Sequence, residues 1–331
     1  MARFVFFGGK GGVGKTTVSS AYGLKCANAG LRTLVVSTDP AHSTSDVFDQ
    51  QFDDDPAPVA GIENLWAMEL DPEEEVQAHM MDIKRRMSDQ VSPAIVNEID
   101  RQIELAHQTP GAYEAALFDR FIEVMRENTP GEGESDGEAF DRVVFDTSPT
   151  GGTLRLLSLP DFLDEWIDRL IDKRSKSIDL FEKAAIGDKE ARRKRDEDPI
   201  IAHLVARQEK FEFAARMLRN DAAFYLVLNP DELSIRETER AITQLSEYEL
   251  SVDGLVLNRI TPGPEDDEGG RGARYLRDRV ATERERIETV QREFDTPIVA
   301  RIETRVEEVK GSLLADVADE LDIDVTPEAT V

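Results

Sequence analysis

The eight residues Gly9-Lys10-Gly11-Gly12-Val13-Gly14-Lys15-Thr16 (GKGGVGKT) satisfy the pattern G-x-x-x-x-G-K-[ST]. A mostly apolar run, Ala2 to Phe7, comes directly before this stretch, and a helical pattern of apolar residues begins at Val18. A strand before the loop and a helix after it form the context that this motif requires, because backbone N–H groups and the helix N-terminus must converge on phosphate. The stretch therefore predicts a nucleotide-binding P-loop.

The chain around this loop predicts a parallel sheet. Gly30 stands where a helix C-cap is expected, and Leu31 to Val36 is a second apolar run, so the opening is a βαβ unit with a right-handed crossover. Further apolar runs typical of buried strands are Leu65 to Leu70, Arg142 to Phe145, Ala222 to Leu228, Leu255 to Leu257 and Ile298 to Val299. Helical patterns separate most of them, which predicts an α/β P-loop NTPase with a doubly wound, mostly parallel sheet.

Two stretches, at about 72–128 and 160–220, are too long to be simple crossovers and contain several helical patterns. We expect them to form one α-helical subdomain inserted into a single P-loop ATPase domain that spans 1–331. The acidic tail at about 325–331 is expected to be disordered. The loop Thr261 to Gly272 is rich in Gly, Pro and acidic residues and is expected to be flexible.

The composition indicates a strongly acidic protein. Asp and Glu total 68 against 40 Lys and Arg, which gives a net charge of −28, and only 11 of the basic residues are Lys. Self-repulsion of this size destabilises a compact state unless salt screens it. An acidic, Lys-poor composition is typical of cytosolic proteins of halophiles, while an acidic surface on a mesophilic protein is the alternative. Either way, binding to nucleic acid is disfavoured.

Cys26 is the only cysteine, so neither a disulfide within one chain nor a multi-cysteine metal site is expected. The first residues resemble a strand and not a signal peptide, and no apolar run approaches the roughly 20 residues that a membrane span needs. We therefore expect a cytoplasmic protein without direct membrane insertion.

Phosphate chemistry assigns roles to the loop. Its expected nucleotide contacts are Gly9, Lys10, Gly11, Gly12, Val13, Gly14, Lys15, Thr16 and Thr17. Lys15 is expected to bridge the β- and γ-phosphates of ATP, the Thr16 hydroxyl to ligate Mg²⁺, and Thr17 to contact the α-phosphate. Asp146 ends the apolar run Val143 to Phe145, as in a Walker B motif, and is the second expected Mg²⁺ residue, acting through water.

Lys10 and two longer segments carry a resemblance to a known family. A lysine at the second position of the loop is similar to the deviant Walker A class of dimeric ATPases. Ser37 to Asp46 (STDPAHSTSD) resembles switch I, and Asp146 to Arg155 (DTSPTGGTLR) resembles switch II, of the arsenical-pump and tail-anchored-protein-targeting ATPases. Ser234 to Arg240 (SIRETER) extends the resemblance, which covers nearly the whole chain.

The resemblance implies further roles. Lys10 would reach across a homodimer to the partner's phosphates, and the alternative is a solvated loop lysine. Asp39, directly after a strand, would orient or deprotonate the attacking water, and the alternative is an Asx-turn residue before Pro40. Asn258 resembles the asparagine that reads adenine. The N–H groups of Gly151 and Gly152 could sense the γ-phosphate and couple it to the helical subdomain.

The sequence departs from the family at three places. Ser43 stands where many targeting members have Asn, and Gly152 where many have His, which could alter the kinetics of the switches. The zinc-binding Cys-x-x-Cys that clamps many eukaryotic dimers is absent, and the loop Thr261 to Gly272 occupies that region. We therefore expect ATP and Mg²⁺, but no zinc, as cofactors.

Three functions compete. The first is a nucleotide-switched dimer that binds the apolar transmembrane helix of a tail-anchored client and delivers it to a membrane receptor. The second is the energising ATPase of an arsenite or antimonite pump, disfavoured because metalloid activation uses several cysteines. The third is a positioning or partition ATPase, disfavoured because the helical pattern at 314–321 is acidic. The targeting function is our first prediction.

Overall fold

The computed structural model describes residues 2–38, 43–71, 112–132, 139–146 and 199–325. Up to residue 146 its elements are β1 (Phe4–Gly8), α1 (Lys15–Asn28), β2 (Thr33–Ser37), α2 (Ser43–Phe48), β3 (Ala57–Pro58), β4 (Leu65–Glu69), α3 (Ala112–Glu127) and β5 (Arg142–Asp146). From residue 199 they are α4 (Pro199–Asn220), β6 (Ala222–Leu228), α5 (Glu232–Glu247), β7 (Gly254–Ile260), α6 (Gly270–Glu293), β8 (Ile298–Glu303) and α7 (Ser312–Glu320).

Eight strands of the described residues form one sheet in the order β3-β4-β2-β5-β1-β6-β7-β8. All neighbouring strands are parallel except the short edge strand β3, which runs antiparallel to β4. The predicted α/β fold with a doubly wound, mostly parallel sheet is therefore confirmed. Strand β1 lies in the interior between β5 and β6, so the loop that follows it emerges near the middle of the carboxyl edge of the sheet. This is where open α/β sheets bind ligands.

The strands are apolar throughout because both faces of the sheet are covered. Every residue of β1, β2 and β5 is buried. On one face, α1 and α7 pack over side chains such as Val5 and Val35, and on the other α3 and α4 pack over Phe6 and Phe145. The rings of Phe6 and Phe145 stack with centroids 4.6 Å apart across β1 and β5. This packing holds the central strands, and hence the loop after β1, in fixed register.

Helix α1 ends as the sequence predicts. Gly30 has a φ of 88°, and its N–H donates to the carbonyl of Ala27 at 2.9 Å, while the N–H of Leu31 donates to the carbonyl of Cys26 at 3.1 Å. Glycine adopts this left-handed conformation without strain, and the two bonds satisfy carbonyls at the end of the helix. The chain then turns directly into β2.

Helices α3 and α4 are the described parts of the two long insertions, and they pack directly on the sheet. Phe118 of α3 stacks on Phe211 of α4 with centroids 6.2 Å apart. Asp119 is buried, and its carboxylate forms ion pairs with Arg207 and Lys210, each at 3.4 Å. The remainder of the expected helical subdomain, 72–111 and 160–198, lies outside the described residues, as does the tail 326–331.

Helix α7 corresponds to the acidic C-terminal pattern. Its apolar side chains Leu314, Val317 and Ala318 are buried in the cluster that also contains residues of α1. The Nζ of Lys25 in α1 donates to the carbonyl of Leu321. The apolar face of α7 is thus used in packing, with its acidic residues on the outside. Across the described helices, no segment combines the length and hydropathy required to cross a membrane.

Candidate nucleotide site

The loop between β1 and α1 needs its glycines for two different reasons. Gly9 has a φ of 146°, and a Cβ at this position would lie 2.2 Å from the carbonyl oxygen of Val227, so the loop leaves β1 in contact with the backbone of β6. Gly12 and Gly14 have φ values of 79° and 91°, which L side chains rarely adopt. Open space surrounds Gly11 and Gly12, where a Cβ would meet no atom within 4 Å. We call the loop Gly9 to Gly14 the glycine cradle. No side chain or backbone atom obstructs the space beside Gly11 and Gly12.

Helix α1 begins at the loop without a side-chain cap. Gly14 is its N-cap, no side chain accepts a hydrogen bond there, and the first turn carries no acidic residue. The first N–H groups of a helix have no intrahelical acceptor, and the dipole favours negative charge at this end. An anion is thus the expected complement of this terminus, and the cradle has the chemistry of a phosphate site.

Both lysines of the loop are described. The Nζ of Lys15 donates to the carbonyl of Lys10 at 3.2 Å, so the ammonium group folds over the loop. Lys10 is partly buried on the loop itself. The structure places Thr16 and Thr17 in the first turn of α1, half-buried, with the carbonyl of Thr16 accepting from the Ser19 hydroxyl at 3.0 Å. The predicted phosphate contacts therefore lie in one loop and one helical turn.

Asp146 lies at the carboxyl end of β5, next to the start of the cradle. The register pairs it with Phe7 of β1 on one side and Ser37 of β2 on the other. It is 2% exposed, and its carbonyl accepts from the N–H of Thr38 at 3.3 Å. The carboxylate of Asp146 and the hydroxyl of Thr16 are oxygen donors, the class of ligand that Mg²⁺ prefers.

Asp39 lies outside the described residues, but the chain on both sides of it is described. Thr38 is held to β5 by its backbone bond to Asp146. After the gap, Ser45 of α2 donates its N–H at 2.9 Å and its hydroxyl at 2.8 Å to the buried carboxylate of Glu69, at the end of β4. Both flanks of Asp39 are thus attached to the carboxyl edge of the sheet, at β5, which neighbours β1, and at β4, which lies three strands from β1. The sequence alone did not identify Glu69, because one acidic residue ending an apolar run gives no signal of its partner.

Asn258 is brought against the loop. Its Nδ2 donates to the carbonyl of Val13 at 2.7 Å, and its Oδ1 accepts from the N–H of Arg259 at 2.8 Å. A Cβ on Gly14 would lie 2.4 Å from the same Nδ2. The side chain that the sequence assigns to adenine therefore also fastens the carboxyl end of β7 to the P-loop.

A cleft of about 420 Å³ opens beside this contact. Gly14, Thr17 and Asn258 line it on the side of the P-loop, and the segment from Ile302 to Lys310 lines it on the other. The cleft therefore meets the loop where the loop enters α1. The 302–310 segment was not predicted to lie at the site, because it has no glycine motif and is recognisable only once β8 is placed next to β7.

A second cleft of about 550 Å³ lies between the ends of β6 and β7 and helix α6. At its wall the buried Glu283 accepts from the N–H of Thr261 at 2.8 Å and from its hydroxyl at 2.7 Å. Burial alone would raise the pKa of Glu283, but hydrogen bonds from Arg279 and Thr261 outweigh it and hold the pKa below its usual value. Glu283 is thus an ionised anchor for the start of the acidic loop.

Cys26 is fully buried in the last turn of α1, at the end of the helix away from the nucleotide loop, and belongs to the core. Burial raises the pKa of its thiol to about 11. At neutral pH the thiol is therefore protonated, whereas the thiolate is the form that ligates soft metals. We interpret Cys26 as a small apolar residue of the core. No group of three or more metal-ligating side chains (His, Cys, Asp or Glu) occurs in the described ranges.

Several predicted features lie outside the described residues. They are Asp39 and the following residues 40–42 of switch I, and Gly151 and Gly152 with the rest of switch II after Asp146.

A doubly wound sheet with a glycine cradle at its central strand defines a P-loop nucleotide-binding protein. The chain matches the family described as anion-transporting ATPase over residues 2–322, and it belongs to that family. This confirms the resemblance to the arsenical-pump ATPases and the predicted ATPase activity.

The relatives carry two kinds of name. The chain is 32% identical over 262 residues to ATPase ASNA1 homolog 1 of Paramecium tetraurelia, covering 78% of this chain and 75% of that protein. It is 30% identical over 314 residues to ATPase GET3A of Arabidopsis thaliana, covering 93% and 80%. It is 29% identical over 311 residues to putative arsenical pump-driving ATPase 2 of Aquifex aeolicus, covering 93% and 95%.

Proposed function

We propose that this ATPase is Mg²⁺-dependent and works as a homodimer whose nucleotide state controls the binding of tail-anchored membrane proteins. The observation that carries the nucleotide part is the glycine cradle at the uncapped N-terminus of α1, with Lys15 folded over it. The targeting part is supported by the switch-like segments of the sequence and by the similarity to ATPase GET3A over 93% of the chain.

The residues of the loop share the work of holding the triphosphate. A Cβ on Gly11 or Gly12 would meet no atom within 4 Å, so the backbone of both residues is open to a phosphate group. Lys15 would exchange the carbonyl of Lys10 for β- and γ-phosphate oxygens, a stronger charge-assisted bond. Thr17 would contact the α-phosphate, and Lys10 of a second copy would complete the charge around the γ-phosphate.

Thr16 and Asp146 are the residues that would hold Mg²⁺, Asp146 through water. The ion supplies neutralisation of charge on the β- and γ-phosphate oxygens. Asp39 would accept a hydrogen bond from the attacking water and orient it, because it follows β2 next to the β5 end that carries Asp146. Asn258 would read adenine from the edge of the 420 Å³ cleft.

Hydrolysis would be coupled to the client through switch II. The N–H groups of Gly151 and Gly152 would bond to the γ-phosphate and lose that contact after cleavage. An apolar client helix would bind in a groove formed by the paired helical subdomains and would be handed to a membrane receptor. The protein would act from the cytoplasm without inserting into the bilayer itself.

The competing candidate is the energising ATPase of an arsenite or antimonite pump, favoured by the similarity to the Aquifex aeolicus relative. Soft metalloids bind thiolates, and the one cysteine of this chain is buried with its pKa raised to about 11. We therefore expect arsenite and antimonite to leave ATP turnover unchanged in the wild type. Stimulation that disappears in Cys26→Ala would favour the pump.

The test of the targeting function is co-purification of the Asp39→Asn protein with a tagged tail-anchored client in molar KCl with ATP and Mg²⁺. Asp39→Asn should bind ATP and hydrolyse it slowly, which traps the complex. We expect a soluble complex that requires ATP, is lost with a client lacking its apolar helix, and is absent with Lys15→Ala. No complex from a protein that binds ATP and dimerises would contradict the targeting function and leave the ATPase intact.

A further inference from the structure

Almost all the basic groups around the 420 Å³ cleft form ion pairs with the protein itself. Arg305, on the 302–310 segment, pairs with Glu320 of α7. Lys310 pairs with Glu308 at 3.3 Å. The remaining basic side chain of the cleft wall is Arg259, which comes directly after Asn258. Within the described residues, its guanidinium group makes no hydrogen bond or ion pair.

Arg259 also lines the 550 Å³ cleft, and there too the other arginines have protein partners. There Arg279 donates to Glu283 at 2.9 Å, and Arg286 donates to the carbonyl of Pro230 at 3.2 Å. Arg259 therefore stands between two clefts in which every other arginine has an acceptor. A cation kept without a protein partner at the edge of a ligand cleft is a candidate for binding the ligand.

The backbone holds Arg259 at this edge. Its φ is 55°, one of the few positive values for a non-glycine residue among the described positions, and its N–H donates to Oδ1 of Asn258. A non-glycine residue in this region costs roughly 1–2 kcal/mol. Because the Asn258 amide is itself bonded to Val13, the position of Arg259 is tied to the geometry of the P-loop.

The charge of the cleft also favours a cation at this position. Asp46, Glu303 and Glu307 line the cleft together with Arg259. These exposed carboxylates disfavour a polyanionic ligand at low salt, and a guanidinium group at the same wall opposes that effect. Molar salt shortens the range of both effects to about 3 Å, so that only a direct contact of Arg259 with the ligand remains. Guanidinium is planar and weakly hydrated, so it stacks on aromatic faces as well as bonding to oxygen.

We propose that Arg259 is a nucleotide-binding residue whose guanidinium group packs against the base and ribose of ATP in the 420 Å³ cleft. This role rests on the nucleotide binding proposed above and adds a contact to the nucleoside, separate from the phosphate contacts of the cradle.

The test compares the Kd of ATP with the Kd of tripolyphosphate, which has the phosphates without the nucleoside, by calorimetry in molar KCl with Mg²⁺. Arg259→Ala should raise the Kd of ATP about two- to fivefold, a factor typical of an exposed cation–aromatic contact, and leave the Kd of tripolyphosphate unchanged. Arg271→Ala, which removes an exposed arginine of α6, is the matched control and should change neither Kd.

Arg259→Gly separates the side chain from the backbone. Glycine relieves the positive φ, so this variant should be at least as stable as the wild type and still bind ATP as weakly as Arg259→Ala. Arg259→Lys keeps the positive charge but replaces the planar guanidinium group with an ammonium group, so it should recover only part of the affinity for ATP.

Three results would overturn the role of Arg259. They are an unchanged Kd of ATP in Arg259→Ala, an equal weakening of ATP and tripolyphosphate, and full affinity in Arg259→Lys. A wild-type protein that binds neither ligand would instead contradict the proposed nucleotide site as a whole, so the two failures are distinguishable.

Discussion

The Nδ2 of Asn258 donates to the carbonyl oxygen of Val13 at 2.7 Å, which joins the end of β7 to the P-loop across 245 positions of the chain. The contact is buried, and it exists only because residue 14 has no side chain: a Cβ there would lie 2.4 Å from the same nitrogen. The glycine of the motif therefore serves two functions. It lets the loop enter α1 with a positive φ, and it leaves room for the amide of Asn258.

Gly14→Ala should be more damaging than Gly12→Ala. Both glycines have a positive φ, so each alanine costs roughly 1–2 kcal/mol of unfolding free energy. Only at position 14 does the new methyl group also collide with Asn258, so we expect a larger loss of stability and a displaced amide. Denaturant unfolding of the two variants measures the difference.

The double variant Gly14→Ala, Asn258→Ala tests whether the collision with Asn258 causes the additional loss of stability in Gly14→Ala. Removing the amide removes the clash, so the two substitutions together should cost less than the sum of each alone. Strictly additive losses would show that Gly14 is needed for its backbone conformation only, and that the close approach of Asn258 carries no energetic weight.

Glu283→Gln should destabilise the fold by about 1–3 kcal/mol at pH 7, because it replaces a buried ionised acceptor of the Thr261 N–H and hydroxyl. The pKa of Glu283 is lowered in the folded state, so the stability from ionisation is complete above the unfolded value of 4.5 and is lost as the pH falls through the folded pKa. The difference between the two proteins should narrow below pH 4.5.

Glu285→Gln is the control for that measurement. It makes the same change of charge two residues later on α6, at an exposed position, and should lie within about 0.5 kcal/mol of the wild type at every pH. If the difference in unfolding free energy between Glu283→Gln and the wild type stays constant as the pH falls, the loss comes from altered packing and not from the carboxylate charge.

Salt should stabilise the protein. With a net charge of −28 at pH 7, repulsion between carboxylates favours expansion, and raising KCl from 0.1 M to 1 M shortens the screening length from about 10 Å to about 3 Å. The midpoint of thermal unfolding, followed by circular dichroism, should rise with KCl. The rise should shrink at pH 5, close to the pI of about 4.5. An equal rise at both pH values would assign the effect to general salting-out.

Local patterns were sufficient to predict most of the sheet. The run Ala222 to Leu228 is β6 without correction, and Leu65 to Leu70 differs from β4 by one residue, because strands buried on both faces are apolar at every position. The two-residue strand β3 was not predicted. It contains Pro58 and pairs only at the edge of the sheet, where neither burial nor alternation marks it.

Some residues of the site could be predicted from local patterns and others could not. The P-loop residues were predictable because their spacing is dictated by backbone geometry around phosphate. The bonds of Glu69 to Ser45 and of Glu283 to Thr261 were not, since each joins residues more than 20 positions apart that carry no motif. Arg259 was also missed, because its importance comes from the engaged state of the arginines around it, which only the packed structure reveals.

In the proposed homodimer, each copy of the chain completes the phosphate site of the other through Lys10. A heterodimer of Lys10→Ala with Lys15→Ala, purified through two different affinity tags, tests this action in trans. In this dimer one site has an intact Lys15 and receives Lys10 from the partner, while the other site has neither. Each variant alone should have lost nearly all ATP turnover, as for removal of a group that neutralises the transferring phosphate.

The heterodimer should recover about half of the wild-type turnover per dimer, because one of its two symmetry-related sites is complete. Turnover no higher than that of the parent variants, in a dimer verified by mass, would contradict the action of Lys10 in trans.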